Sequence, residues 1–161
     1  MTFPQDGYLL AAEDGDAWWF LDERMTVKVS SRESGGAFTL IEFSGPRGFG
    51  PPRHVHERED ELFYVLDGEM RVVCGAKDWQ VSSGSLVFLP HGIEHAYIIT
   101  SETPIRALQL TSPGGFEDFL SELGRRPDGV GLPQPQTPDV ARLNEVAGRQ
   151  GRRLVGPPLT L

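Results

Sequence analysis

The sequence predicts an all-β fold, a small barrel or sandwich followed by helices, and two features of the chain predict it. Between residues 25 and 112, short runs rich in β-branched and aromatic residues alternate with turn residues about every 8–12 positions, which is typical of small all-β domains. After residue 112 the apolar residues change to a helical spacing. For a chain of 161 residues we expect one domain spanning 1–161, with a barrel core at about 25–112 and a helical extension at about 113–161.

The strands before residue 50 follow from alternation and from aromatic content. Residues 25–30 alternate apolar and polar side chains, which predicts a half-buried strand, and a turn at 33–36 separates them from a second strand at 38–43. Upstream, residues 17–21 are apolar and include two tryptophans. We expect them to form an edge strand that covers the barrel or contacts a second copy of the chain.

The strands after residue 60 are short and closely spaced. Residues 62–66 and 70–74 flank Asp67-Gly68, a dipeptide typical of hairpin turns, so these two strands are predicted to pair with each other. Gly68 and Gly84 are expected to adopt backbone conformations that a side chain would oppose. The later predicted strands are residues 77–81, 86–89, 95–100 and 105–111.

Two helices are predicted in the C-terminal extension. Residues 116–123 form the first, because their apolar side chains recur three and four positions apart, and Gly124 can end it. A linker rich in Pro and Gly at 125–136 leads to the second helix, at 138–149. Both helices are expected to pack on the outside of the barrel or over its mouth.

The end of the chain carries weaker signals. Thr137 is the predicted N-cap of the second helix, with Pro138 in the first helical position. The predicted apolar face of that helix consists of Val140, Leu143 and Ala147. Residues 155–161 are expected to form an extended tail. The basic residues near it are interpreted as a solvated face: Arg149, Arg152 and Arg153.

The histidines mark a candidate metal site. All four histidines of the chain lie between residues 54 and 95. His54 and His56 are two positions apart and share one face of a strand, while Glu61 and His95 each open an apolar run. An isolated pair such as His54 and His56 would favour a polar loop without a role, but three imidazoles and one carboxylate together suit Fe, Mn, Co, Ni, Cu or Zn. His91 lies in a turn and is interpreted as a surface residue, at most an alternative ligand.

Two stretches of the sequence, residues 48–68 and 84–95, resemble the two motifs of the cupin family. The matching positions are Gly48, His54, His56, Glu61 and Gly68 in the first motif, and Gly84, Pro90, Gly92 and His95 in the second. The chain departs from the pattern at Ile99, where an asparagine that is not a ligand is usual. The resemblance implies a single cupin barrel, of the double-stranded β-helix or jelly-roll type. It also implies that His54, His56, Glu61 and His95 bind one divalent transition metal of unknown identity.

Strand parity predicts which side chains share the barrel interior with the ligands. The neighbours of Glu61 and His95 on the same strand faces are Phe63, Val65, Tyr97 and Ile99. They would line an apolar cavity for a small-molecule substrate, or they would simply fill a small barrel. Of the four, Tyr97 is the one with a polar group to offer a ligand.

Three classes of function stay open at this point. The Gly/Pro-rich loop before His54 and residues 63–68 are similar to small cupins of the quercetin-dioxygenase type. This resemblance implies a metal-dependent dioxygenase for a flavonol-like or other enolic or aromatic molecule, with Glu61 as the catalytic general base. The alternatives are a non-catalytic cupin that binds a small molecule or metal, and a non-redox isomerase or polyketide cyclase. By resemblance to other cupins we also expect a homodimer.

The charge and amino-acid composition of the chain argue against some classes of binding partner and predict its compartment. A net charge of −8 argues against binding to nucleic acid or to an acidic membrane. The single cysteine, Cys74, cannot form an intramolecular disulfide and is expected to pack in the core, as suits a reducing cytoplasm. Acidic residues precede the first basic residue, Arg24, and no apolar run reaches the length of a membrane span. We therefore expect a cytoplasmic protein without a secretory signal.

Overall fold

The structure, a computed structural model, describes residues 6–161, and residues 1–5 of the predicted domain lie outside the described residues. Within the described range the chain forms eleven strands and two helices. The strands are β1 (Asp16–Phe20), β2 (Glu23–Val29), β3 (Thr39–Gly45), β4 (Arg53–His56), β5 (Asp60–Asp67), β6 (Glu69–Cys74), β7 (Lys77–Ser82), β8 (Leu86–Leu89), β9 (His95–Ile99), β10 (Ile105–Ser112) and β11 (Arg152–Gly156). The helices are α1 (Phe116–Leu123) and α2 (Val140–Arg149).

The strands form two antiparallel sheets. One has the order β1-β2-β3-β10-β5-β8, and the other has the order β11-β4-β9-β6-β7. This arrangement confirms the predicted all-β fold, a jelly-roll barrel with C-terminal helices. The proposed division into a core at 25–112 and an extension at 113–161 stays a prediction.

The core lies between the two sheets, because alternate side chains of each strand point inward. In β3 every second residue is buried, including Ile41 and Phe43. The rings of Phe43, Phe63 and Tyr97 pack together with centroid separations of 5.2 to 5.8 Å. This aromatic cluster joins the two sheets and fixes the position of Tyr97. Cys74 is buried in the same core, as predicted.

The predicted hairpin at Asp67-Gly68 is wrong. β5 pairs with β10 and β8 in one sheet, whereas β6 pairs with β7 and β9 in the other. The dipeptide therefore carries the chain from one sheet to the other. Gly68 has φ 89°, and a Cβ there would lie 2.8 Å from Oγ of Ser101. The need for glycine was predicted correctly at Gly68 and Gly84, although the topology at Gly68 was not.

Helix α1 has its predicted bounds, but α2 begins later than predicted. Its N-cap is Asp139 and not Thr137, because the Asp139 carboxylate accepts a hydrogen bond from the backbone N–H of Arg142. The predicted face was partly wrong as well, since Val140 is exposed. The buried face of α2 consists of Leu143, Val146 and Ala147.

The C-terminal segment contains a strand that was not predicted, and it takes up residues 155 and 156 of the predicted extended tail, whereas residues 157–161 lie outside any helix or strand. Residues 152–156 form β11, which pairs with β4 and places Arg152 opposite His56. Arg152 is 3% exposed, so its interpretation as part of a solvated face was wrong, whereas Arg153 has an exposed side chain. Single-sequence patterns missed β11 because its five residues, two of them arginines and one a glycine, show no clear apolar alternation.

The sheet edges carry an exposed apolar surface. β1 is an edge strand, as predicted, and β8 is the opposite edge of the same sheet. Large apolar side chains on β5, β7 and β8 are exposed: Tyr64, Trp79, Leu86 and Phe88. The homodimer stays a prediction. Among the described residues, neither helix has the length and apolar character needed to cross a membrane.

Candidate metal centre

The four predicted ligands come from three strands and meet between the two sheets. His54 and His56 lie on β4, and His95 lies opposite His54 on the adjacent strand β9. Glu61 lies on β5 of the other sheet. One ligand atom from each of the four residues lies within 4.8 Å of the others, and all except the half-buried His54 are buried. Two strands thus supply imidazoles from one sheet, and the carboxylate approaches from the facing sheet.

Each imidazole is oriented by a contact at Nδ1. Nδ1 of His54 and of His95 lie 2.7 and 2.9 Å from the carbonyl oxygens two residues earlier in the chain. A carbonyl oxygen only accepts, so both rings carry their proton on Nδ1. Nδ1 of His56 lies 3.0 Å from Oε2 of Glu59. In all three rings Nε2 is then the atom left to face the cluster, the arrangement found for metal-binding histidines.

The Glu61 carboxylate completes the cluster. Its Oε2 lies 3.1 Å from Nε2 of His95 and 3.9 Å from Nε2 of His56. Burial raises the pKa of Glu61. The neighbouring imidazoles, above all that of His56, together outweigh burial and lower this pKa to about 2. Burial is the largest single influence on the pKa of His95 and lowers it, but the hydrogen bond and charge of Glu61, together with the hydrogen bond to the carbonyl oxygen of Ile93, outweigh burial and leave that pKa above its usual value. A metal cation bound by Glu61 and His95 would take the place of the proton in the hydrogen bond between Nε2 of His95 and Oε2 of Glu61.

The donor set fits a divalent transition metal. Burial, together with the neighbouring imidazoles of His95 and His56, lowers the pKa of His54 to about 3, so this ring is neutral near pH 7. A neutral imidazole and an ionised carboxylate are the forms that coordinate metals. Three imidazole nitrogens and one carboxylate oxygen suit Fe, Mn, Co, Ni, Cu and Zn alike. The cluster therefore indicates a metal site, and the assignment of these four ligands stays a prediction.

The cluster opens onto a small, mostly apolar cavity of about 60 Å³. Tyr97 lines this cavity, whereas Phe63, Val65 and Ile99 are buried in the hydrophobic core. The C-terminal segment supplies a third of the lining residues, namely Phe116, Phe119, Leu143, Ala147, Arg152 and Leu154. The helices thus cover the mouth of the barrel, one of the two positions expected for them. His91 lies outside the cluster, exposed and paired with Asp60.

Sequence reasoning missed a second buried carboxylate in the cavity wall. Glu23 is 2% exposed and lines the cavity together with Glu61. The Tyr97 hydroxyl donates a hydrogen bond of 2.8 Å to Oε1 of Glu23. Burial raises the pKa of Glu23 to about 8, although the hydrogen bond from Tyr97 opposes this effect. The alternation of side chains along β2 could have predicted this burial, since Glu23 lies on the same face of the strand as the buried Met25.

The pKa of Glu23 predicts a pH-dependent stability of the metal-free protein. Between the ordinary carboxyl pKa of 4.5 and the folded value of about 8, the folded state keeps a proton that the unfolded state has lost. The free energy of unfolding should therefore fall as pH rises through this window, by a few kcal/mol at about 1.4 kcal/mol per pKa unit. A Glu23→Gln variant should lose this dependence in chemical denaturation between pH 5 and 8. An exposed control, Glu102→Gln, should follow the wild-type profile. Parallel profiles for wild type and Glu23→Gln would contradict this assignment.

Fold and site together define a jelly-roll barrel with a histidine and glutamate cluster between its sheets. Comparison with known families agrees, since residues 43–111 match the family described as "Cupin domain". The chain belongs to the cupin family.

Two curated relatives and one solved structure illustrate the similarity. The chain is 28% identical over 130 residues to quercetin 2,3-dioxygenase of Bacillus subtilis, a match that covers 80% of this chain but 38% of that enzyme. It is 34% identical over 104 residues to an uncharacterized protein of Streptomyces coelicolor, covering 64% of this chain and 85% of that protein. The structure of KdgF from Halomonas sp. superposes with a TM-score of 0.60 at 19% identity, over 70% of this chain and 99% of that one. The last similarity shows the fold alone.

Proposed function

We propose that this cupin is a metal-dependent dioxygenase for a small enolic or phenolic substrate. The observation that carries the proposal is the placement of the His/Glu cluster beside a small, mostly apolar cavity. His54, His56, Glu61 and His95 would hold the metal, and the metal would supply a Lewis-acidic site for an oxygen of the substrate. The similarity to quercetin 2,3-dioxygenase supports this class, although the chain spans 38% of that enzyme.

The residues of the cavity divide the chemistry between them. A bound redox-active metal would supply coordination of the substrate oxygen and electron transfer with O₂. Glu61, ionised at neutral pH, is the base that accepts the enol or phenol proton. The apolar side chains of Phe116, Phe119 and Leu143 exclude water from the reacting groups.

The volume of the cavity limits the substrate. Pockets for drug-sized ligands enclose about 300–1,000 Å³, whereas this cavity encloses about 60 Å³. A space of this size accepts the oxygen-bearing end of a molecule and not a whole flavonol. A larger cleft of about 800 Å³ lies outside it and shares part of its wall, namely Leu21, Phe49, Pro52, Leu143 and Leu154. Movement of these shared side chains would let the body of an aromatic substrate occupy the cleft while its oxygens reach the metal.

The small cavity also favours a second candidate function. A cupin that binds metal or a small ligand without turnover needs no space for a flavonol, and the small volume of the cavity suits that role. Non-redox catalysis, as in an isomerase or polyketide cyclase, would use the metal as a Lewis acid. The requirement for metal separates the classes, because zinc supports Lewis-acid chemistry but has no redox chemistry of its own.

The test combines metal analysis with oxygen consumption. Protein purified without added metal is analysed for its elements, then stripped and reconstituted separately with Fe²⁺, Mn²⁺, Co²⁺, Ni²⁺, Cu²⁺ or Zn²⁺. Each form is screened with flavonols, diketones and smaller enols. We expect substrate-dependent oxygen uptake with a redox-active metal and none with zinc. No uptake in any metal-loaded form would contradict the dioxygenase, and tight ligand binding without product would support the second candidate.

A further inference from the structure

A series of hydrogen-bonded side chains connects the C-terminal strand β11 to the metal cluster. Nη2 of Arg152 lies 2.7 Å from Oε1 of Glu59, and Oε2 of the same carboxylate lies 3.0 Å from Nδ1 of His56. Each oxygen of Glu59 thus accepts from a different partner. Because Glu59 accepts at Nδ1, the His56 ring carries its proton there and directs Nε2 toward the other ligands.

Arg152 lies at the outer end of this series of hydrogen bonds, where several contacts hold it in place. It is 3% exposed and lies opposite His56 in the β4–β11 pairing. Its guanidinium carbon lies 4.8 and 4.9 Å from the ring centroids of Phe116 and Phe119, and Nη1 donates to Oε1 of Gln150 at 3.0 Å. A buried guanidinium is costly unless it is paired. Its ion pair with Glu59 therefore also holds the Glu59 carboxylate in place.

His56 differs from the other two imidazoles in what orients it. His54 and His95 contact backbone carbonyl oxygens, which no side-chain substitution removes directly. His56 contacts a side chain, and that side chain is held by a residue 93 positions later in the chain. The orientation of one ligand thus depends on the C-terminal segment.

We propose that Arg152 is a positioning residue of the metal centre: through Glu59 it holds the His56 ring with Nε2 directed at the metal. The proposal rests on the metal site of the proposed function but not on oxygen chemistry. It gives the C-terminal segment, which lies beyond the cupin motifs, a part in metal affinity. Partners of this kind, which contact a metal ligand, typically contribute about 10–100-fold to affinity.

The adjacent residues provide matched controls. Arg153, next in the same strand, pairs with Glu57 at 3.2 Å, and both side chains are largely exposed. We expect Arg152→Met and Glu59→Gln to weaken metal affinity at least about tenfold, whereas Arg153→Met and Glu57→Gln should stay within about twofold of wild type. Affinity is measured by competition of metal-stripped protein with a chromophoric chelator. The visible spectrum of the Co²⁺ form reports a change in coordination independently of affinity.

A double variant distinguishes positioning from a merely structural role. If Arg152 acts through Glu59, then Glu59→Gln/Arg152→Met should cost no more affinity than the weaker-binding single variant, and Arg152→Lys should recover part of the loss. Lower thermal stability with unchanged affinity and Co²⁺ spectrum in Arg152→Met would overturn the proposal. If Arg152→Met does not fold, Glu59→Gln decides alone, and wild-type affinity in that variant overturns it. Failure of wild-type protein to bind any metal would overturn the metal site itself.

Discussion

A His54→Ala/His56→Ala variant is expected to lose its metal, whereas wild-type protein retains the ion through purification. The variant keeps only Glu61 and His95 of the four clustered groups, and these come from two different sheets. Two protein ligands do not hold a divalent transition metal against water and buffer as four do. Elemental analysis of both proteins, purified side by side without added metal, measures the difference. Each single histidine variant should also lose affinity sharply.

A His91→Ala variant is the matched control for this loss. His91 is exposed, hydrogen-bonded to Asp60 and outside the cluster, so its removal should leave the metal content unchanged. The four predicted ligands would be ruled out if the double variant retained wild-type metal content. Loss of metal from His91→Ala would instead point to a different ligand set.

Metal binding should also weaken on acidification, because protons compete for the same nitrogens. A reference imidazole pKa of about 6.5 predicts weakening below about pH 6. In the structure the pKa of His54 is lowered to about 3 and that of His95 lies above its usual value, so protons compete more strongly at His95 than at His54. The affinity for the metal should therefore fall as the pH falls through the pKa of His95. Affinity that stays constant from pH 8 to pH 5 would contradict this competition.

The ligand cluster could be predicted from the sequence because its determinants are local. The i, i+2 spacing of His54 and His56 places both rings on one strand face, and the Gly/Pro turns mark the strands that carry Glu61 and His95. The strand rhythm and the helical spacing at 116–123 are local in the same way, and they gave the correct fold class and helix.

What the sequence could not predict depends on contacts between distant segments. Asp67-Gly68 has the composition of a hairpin, and only the competing pairing of β5 with β10 shows that the chain crosses between sheets there. Arg152 and Arg153 are adjacent residues of the same type, yet Arg152 is buried beside Glu59 and Arg153 is exposed. The choice between the two positions expected for the helices, over the mouth of the barrel or on its outside, likewise depends on tertiary contacts that no periodicity reports.

Glu61→Gln is expected to lower turnover by about 10²–10⁴-fold, the usual contribution of a general base, while some metal stays bound. Glutamine keeps the size of the side chain but is neutral and cannot accept the substrate proton. The three imidazoles remain as ligands, so metal content should fall less than in the double histidine variant. Oxygen uptake and metal content are measured on the same preparations, and turnover is expressed per bound metal.

Glu23→Gln is the matched control for this prediction, since both carboxyl groups are buried and line the same cavity. Their environments shift the two pKa values in opposite directions, to about 2 for Glu61 and about 8 for Glu23. At neutral pH an amide therefore replaces a charged base in one variant and an already neutral acid in the other. Turnover should fall steeply in Glu61→Gln and remain mostly intact in Glu23→Gln. Equal turnover per bound metal in Glu61→Gln and wild type would exclude Glu61 as the base, and a steep loss confined to Glu23→Gln would transfer that role to Glu23.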